Sequence, residues 1–175
     1  MQAAQQPDGA GMSIPKLLLS MVFGPARTEF YRKIKSMETK QTNFPTPPWD
    51  MDTAAARLVF EEAAWNSHEP EKILAGYADT LEIRDGTEFI TDKHQLQEFL
   101  QRKFAKQLDY KVKLDLWGAL KGRMAVRFES EWRDTAGQHY HSYGVQVFQF
   151  NDAGYAERRF ASQETVPIDE SARQL

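Results

Sequence analysis

The sequence predicts an α+β domain in which three helices lie on one face of a curved, mainly antiparallel sheet. Three observations lead there. Apolar residues recur at helical spacing from residue 53 to residue 104. The period falls to two from Tyr110 onward. Turn signals at Gly122, Asp134–Gly137 and Asn151–Gly154 then divide the remainder into four consecutive strands. Helices gathered early in the chain and strands gathered late form two layers around one core. At 175 residues there is length for one such domain and an appendage.

The appendage comes first. Residues 1–11 are rich in Gln, Ala and Gly and have the composition of a flexible segment. The apolar run Ile14–Phe23 is too short to span a bilayer, is interrupted by Pro15 and Lys16, and lacks a basic region ahead of it. Neither a membrane span nor a secretory signal is therefore expected. Residues 1–48 hold six Lys/Arg and three Asp/Glu, hence +3, and since the whole chain carries -3 the rest stands at -6. The basic stretch from Arg27 to Lys40 makes organelle targeting the alternative to a cytoplasmic location, with a later start at Met12, Met21 or Met37 as the competing account. Pro45, Pro47 and Pro48 set a stiff boundary, so the flexible basic extension is placed at 1–48, the domain at 49–170 and a polar tail at 171–175.

Within the domain, a first helix is expected from Thr53 to Asn66, capped by Asp52 or Thr53, with Ala55, Leu58, Val59, Glu62 and Trp65 on its inner side. Pro70 suits the first turn of a second helix running to Ala78, and His68 is expected to be solvated in the turn between them. A short strand follows, in which Leu81, Ile83 and Asp85 share one face. Glu88–Ile90 forms another short strand or bend. Asp92 and Gln95 then make a capping box for a third helix, whose stripe of Leu96, Phe99, Leu100, Lys103 and Phe104 follows positions i, i+3, i+4, i+7 and i+8. The long strands run from Tyr110, from Arg123 to Arg133, from His139 to Phe150 and from Tyr155 to Glu164. If Arg133 pairs with His139, then Glu131 meets His141 and Gln146 faces the core.

Composition narrows the function. A net charge of -3 without a basic patch in the domain argues against nucleic acid as a partner. The absence of cysteine removes a thiolate nucleophile, a disulfide framework and thiolate metal ligands. His139 and His141 alternate at a spacing metal sites use, but their parity puts them with Glu131 on the charged face, where an ion pair is the simpler account. No metal or cofactor is expected.

The fragments Ala64-Trp65-Asn66-Ser67, Glu69-Pro70-Glu71, Glu88-Phe89-Ile90-Thr91, Phe99-Leu100-Gln101-Arg102-Lys103, Leu108-Asp109-Tyr110, Glu131-Trp132, Ser142-Tyr143-Gly144, Arg158-Arg159 and Ala161-Ser162 resemble an uncharacterised SnoaL-like family. That family has the nuclear-transport-factor-2-like cone fold, and the resemblance covers residues 54–170. It implies a strongly curved sheet wrapped into an α+β barrel and no settled activity. The chain has Ile83-Arg84-Asp85-Gly86 where the family has Trp-Arg-Asn-Arg, and Tyr143-Gly144-Val145-Gln146-Val147-Phe148 where it has Tyr-Gly-Asn-Glu-Asn-Trp. The stretch from Tyr77 to Asp85 is similar to that of the ketosteroid isomerases, whose general base would fall on Asp85. By the same resemblance Gln146 takes the place of their protonated acid and Glu61 that of their oxyanion-hole tyrosine.

These residues define a candidate site. Asp85 and Gln146 are expected to share a cavity of roughly 300 Å³ or more between helices and sheet. Trp65, Tyr77, Ile83, Phe104, Trp132, Tyr140 and Phe148 would wall it, with Glu61, Ser130 and Ser142 as polar lining. Burial is expected to raise the Asp85 pKa, and the Gln146 amide to donate to a developing enolate. The implied chemistry is proton abstraction next to a carbonyl, as in isomerisation, dehydration or ring closure. The implied ligand is a small apolar or polyketide-like molecule. A non-catalytic binding or dimerisation module is the alternative, and Tyr143, Val145 and Val147 on the outer sheet face suit a homodimer.

Overall fold

The computed structural model describes residues 44–175. The flexible extension, the apolar run and the targeting stretch predicted within residues 1–43 lie outside the described residues.

Helix α1 spans Met51–Asn66 and begins two residues ahead of the expected start, because Asp50 is the cap. The Asp50 carboxylate accepts the Thr53 N–H at 2.8 Å, and Thr53 Oγ1 accepts the Asp50 N–H at 3.0 Å, so each satisfies one otherwise orphaned donor. Its buried stripe is Ala54, Arg57, Leu58, Glu61, Ala64 and Trp65, one residue out of phase with the expected one. Val59 is exposed, and the charged pair Arg57–Glu61 is inside instead.

Helix α2 is short, Pro70–Leu74, and does not reach Ala78. Gly76 ends it. A Cβ there would stand 3.0 Å from the Arg57 guanidinium, whose Nη2 donates to the Gly76 carbonyl. Tyr77 consequently opens strand β1, Tyr77–Asp85, and the hairpin at Gly86, with φ +59, leads to β2, Glu88–Asp92. Helix α3, Lys93–Lys106, is capped by Asp92, which accepts the Gln95 N–H at 2.8 Å. Gln95 reaches back to the Thr91 N–H rather than to that of Asp92.

Strands β3 (Leu108–Leu120), β4 (Arg123–Arg133), β5 (His139–Phe150) and β6 (Ala156–Ile168) form the expected antiparallel meander. The sheet has six strands in the order β2-β1-β6-β5-β4-β3, and β1 runs parallel to β6. It is therefore mixed and open, with β2 and β3 as its edges, and not a closed barrel. Register in the long hairpin agrees with the sequence pattern: Arg133 pairs with His139, Glu131 with His141 and Val126 with Gln146.

The core lies between the helices and the inner sheet face. Leu58, Trp65, Leu96 and Leu100 are buried there with Tyr110, Val112, Val126, Phe128 and Phe148. Packing starts ahead of the expected boundary at 48/49, since Phe44 is buried and its ring lies 4.9 Å from that of Phe60 and 5.7 Å from that of Tyr155. The last residues are also tied down. The buried Glu131 carboxylate receives His141 Nδ1 at 3.0 Å, the Gln174 N–H at 2.9 Å and the Leu175 N–H at 3.1 Å. The outer face elsewhere is apolar and wet, with Leu120, Tyr143, Val145, Val147 and Phe160 exposed. Among the described residues no helix is long and apolar enough to cross a membrane.

Candidate functional site

The site is organised by an arginine. Arg159 sits on the inner face of β6, paired with Ile83 of β1 on one side and Phe148 of β5 on the other. Its Nη1 donates to Asp85 Oδ2 at 3.0 Å and its Nε to Gln146 Oε1 at 2.8 Å. The guanidinium lies 5.0 Å from the centroid of the Trp65 ring, so a buried cation is matched by one carboxylate, one amide oxygen and one aromatic face. Asp85 and Gln146, far apart in sequence, are thus brought together through Arg159.

This arrangement fixes the orientation of Gln146. A guanidinium can only donate, so the amide atom facing it is the oxygen and the amide nitrogen is turned the other way. Neither that Nε2 nor Asp85 Oδ1 has a hydrogen-bond partner among the described residues, and both residues line the cavity in front of Arg159. Burial pushes the Asp85 carboxyl up, but the charges of Arg159 and Lys103 and the Arg159 hydrogen bond outweigh it, so Asp85 titrates below the usual carboxylate range. The expected upward shift is overturned, because the sequence reading did not place two cations beside this acid.

Lys103 is the second cation. It extends from the inner stripe of α3, and its Nζ lies 5.1 Å from the centroid of the Tyr110 ring. Burial lowers its pKa from 10.5 to about 8, against the pull of Asp85 and with the repulsion of Arg159. Tyr110 is pushed up to about 12 by burial. Trp65, Asp85, Lys103, Tyr110, Phe128 and Gln146 enclose, with Arg159, a cavity of only about 10 Å³. That is room for about one water molecule. Among the described residues the space between Asp85 and Gln146 is thus far smaller than the chamber expected there.

The other expected pocket residues are distributed elsewhere. Glu61 is committed: one oxygen pairs with Arg57 at 3.0 Å, and the other accepts Trp65 Nε1 at 3.0 Å and the Tyr77 hydroxyl at 2.9 Å. Tyr77, Ile83 and Phe148 are core residues. Phe104 packs against Trp65 and Tyr110, while Ser130 is buried beside the Tyr110 hydroxyl. Trp132 stacks on Tyr140 at 4.3 Å and donates to Ser142, which bonds Thr165, a separate cluster nearer the end of the hairpin. His68 is exposed in the turn, as expected, and its Nε2 also meets the Tyr110 carbonyl at 2.5 Å. Arg159, Lys103 and Tyr110 were the residues the site reading missed. Lys103 had a signal, a cation on an apolar stripe.

Helices on one face of this mixed sheet, with a polar cluster at the end of β1, define a protein of the NTF2-like fold. Solved structures agree: an NTF2-like protein of unknown function from Exiguobacterium sp. 255-15 superposes with a TM-score of 0.56 at 12% identity, covering 62% of this chain and 98% of that one. The epoxide hydrolase/cyclase-like enzyme SalBIII of pyran ring formation in salinomycin gives 0.59 at 14%, covering 66% and 93%. A computationally designed 17-OHP binder gives 0.58 at 15%, covering 65% and 96%. Residues 47–175 match the family described as "Protein of unknown function (DUF1348)", and the chain belongs to that family. Comparison with curated proteins yields no match.

Proposed function

We propose that the protein binds a small apolar or polyketide-like molecule against the Asp85–Arg159–Gln146 cluster and moves a proton next to a carbonyl there, as an isomerase, dehydratase or cyclase does. One observation carries this reading. A single arginine holds a carboxylate and an amide at once, and leaves one acceptor, Asp85 Oδ1, and one donor, Gln146 Nε2, without a partner. Both atoms remain open to the cavity, so a donor and an acceptor side by side against an apolar wall suit a ligand. Asp85 is ionised at neutral pH and accepts the proton; its depressed pKa restricts it to carbon acids activated by a carbonyl. Gln146 donates to the oxygen on which charge develops. Trp65, Phe128 and Val112 supply the apolar wall. A ligand larger than water enters by displacing side chains, of which Lys103 has the most freedom. Among proteins of this fold, SalBIII is described as epoxide hydrolase/cyclase-like and the designed protein as a binder of 17-OHP, which fits small-molecule chemistry on this fold.

The test is hydrogen exchange. Ketones and lactones incubated with the protein in D₂O are expected to lose α-proton NMR signal, and Asp85→Asn is expected to slow this by about 10²–10⁴-fold. Equal exchange with the variant removes the catalytic reading. The small cavity favours a second reading, a binding module without turnover, which an apolar molecule extracted unaltered from the purified protein would support. The outer sheet face is proposed to pair with a second copy. Leu120, Val147 and Phe160 surround a shallow depression of about 560 Å³, an apolar surface larger than isolated exposed side chains provide.

A further inference from the structure

The charges in the cavity do not balance. Two cations face one carboxylate, and that carboxylate is held by Arg159. Lys103 has neither a salt-bridge partner nor a hydrogen-bond acceptor among the described residues. Its Nζ lies over the Tyr110 ring, against which a cation gains only a modest electrostatic attraction. The elements packed around it offer nothing better. Asp85 comes from β1 and Arg159 from β6, while β3 contributes Tyr110 and α1 contributes Trp65, both neutral. The carboxylate of α1, Glu61, is neutralised by Arg57 and accepts two further hydrogen bonds. An ammonium in a half-buried cavity whose one carboxylate is shared with, and bonded to, Arg159 is left only partly compensated in the free protein, and a negatively charged ligand makes up the difference.

We propose that this cavity recognises molecules bearing a single carboxylate, which the Lys103 ammonium binds while Arg159 remains engaged with Asp85 and Gln146. The inference rests on the ligand site proposed above and names the class of molecule it takes: a carboxylate attached to an apolar body that lies against Trp65 and Phe128. The chemistry of the two cations divides the labour. Arg159 presents a planar fork already filled by a carboxylate and an amide, whereas Lys103 is a point charge on a flexible four-carbon stem that can swing to meet an incoming anion. Binding is accordingly linked to protonation. In the free protein the lysine titrates at about 8, and an anion beside it favours the charged form, so at pH 8 to 9 the complex takes up part of a proton as it forms.

The experiment uses benzoate, phenylacetate and phenylpyruvate, each beside its neutral amide, with ligand-observed NMR for affinity and calorimetry at pH 8.5 in two buffers of different ionisation enthalpy for proton uptake. The carboxylates are expected to bind about tenfold or more tightly than the amides, to lose that advantage in Lys103→Gln, and to take up protons in the wild type. Lys103→Arg keeps the charge and is expected to retain carboxylate binding without proton uptake, since a guanidinium does not titrate here; it also serves if the Gln variant folds poorly. Carboxylates and amides that bind equally, with Lys103→Gln indifferent to both, overturn the anion inference and leave the site standing. If neither class binds, or if binding is unchanged in Asp85→Asn and Lys103→Gln alike, the site itself is refuted and the inference with it.

Discussion

Asp85 and Lys103 respond to pH in opposite senses. Asp85 has a depressed pKa in the folded chain, so its contribution to stability is complete above its unfolded pKa of about 3.9 and is lost as pH falls through the lower folded value. Lys103 is lowered from 10.5 to about 8. Between those values the unfolded chain binds more protons than the folded one, and stability rises with pH by up to about 3 kcal/mol. Above pH 10 the gain is opposed, because Tyr77 and Tyr110 are raised in the fold and ionise first in the unfolded chain. Urea midpoints are therefore expected to climb from pH 8 to pH 10, and Lys103→Met is expected to flatten the climb. A wild-type midpoint that falls across this range would refute the placement of Lys103. This behaviour was only partly legible in the sequence. Asp85 could be recognised as an acid closing an apolar strand face, but its pKa depends on Arg159, 74 positions away, and no local pattern couples the two.

Where pattern is strong and local, the elements followed from the sequence. The i, i+3, i+4 stripe and the Asp92 cap gave α3, and strict alternation gave the β4–β5 register. Failures trace to contacts across the fold. Helix α1 is turned by one residue because Arg57 and Glu61 satisfy each other inside, with Trp65, Tyr77 and two backbone carbonyls completing the set. Helix α2 stops early because Arg57 occupies the space beside Gly76. A comparable constraint acts at Gly144, where a Cβ would stand 2.3 Å from the ring of Phe128, its cross-strand partner. Gly144→Ala would push that ring toward the cavity and is expected to lower stability by about 1–3 kcal/mol in urea unfolding. A Gly144→Ala, Phe128→Leu double variant is expected to recover part of the loss, and its failure to do so would shift the cause to the Ser162 carbonyl, which would stand 2.7 Å from the same Cβ.

At the scale of the whole molecule, the α+β class and the meander were legible, but the join of β1 to β6 was not. Parallel pairing between strands separated by most of the domain leaves no turn signal, and both partners are short where they meet. The barrel expected from the cone resemblance likewise gives way to an open order with two edges. The outer face that this order presents has a testable consequence. If it pairs with a second copy, sedimentation of the wild type gives twice the chain mass, and Val147→Glu, placed at a position 48% exposed, yields monomer without loss of folding. A monomeric wild type at micromolar concentration would exclude that pairing.

The position of β6 has a further consequence, for synthesis. It is the last of the six described strands in sequence yet lies between β1 and β5 in the sheet, and it carries Arg159 into the site. Until it emerges from the ribosome, the β1–β2 hairpin has no bond to the meander and Asp85 has no partner. Most of the domain must therefore wait, with apolar strand faces uncovered, for β6. Such a topology delays folding until the last strand of the domain has been made and leaves the nascent domain a natural client for factors that shield exposed strands.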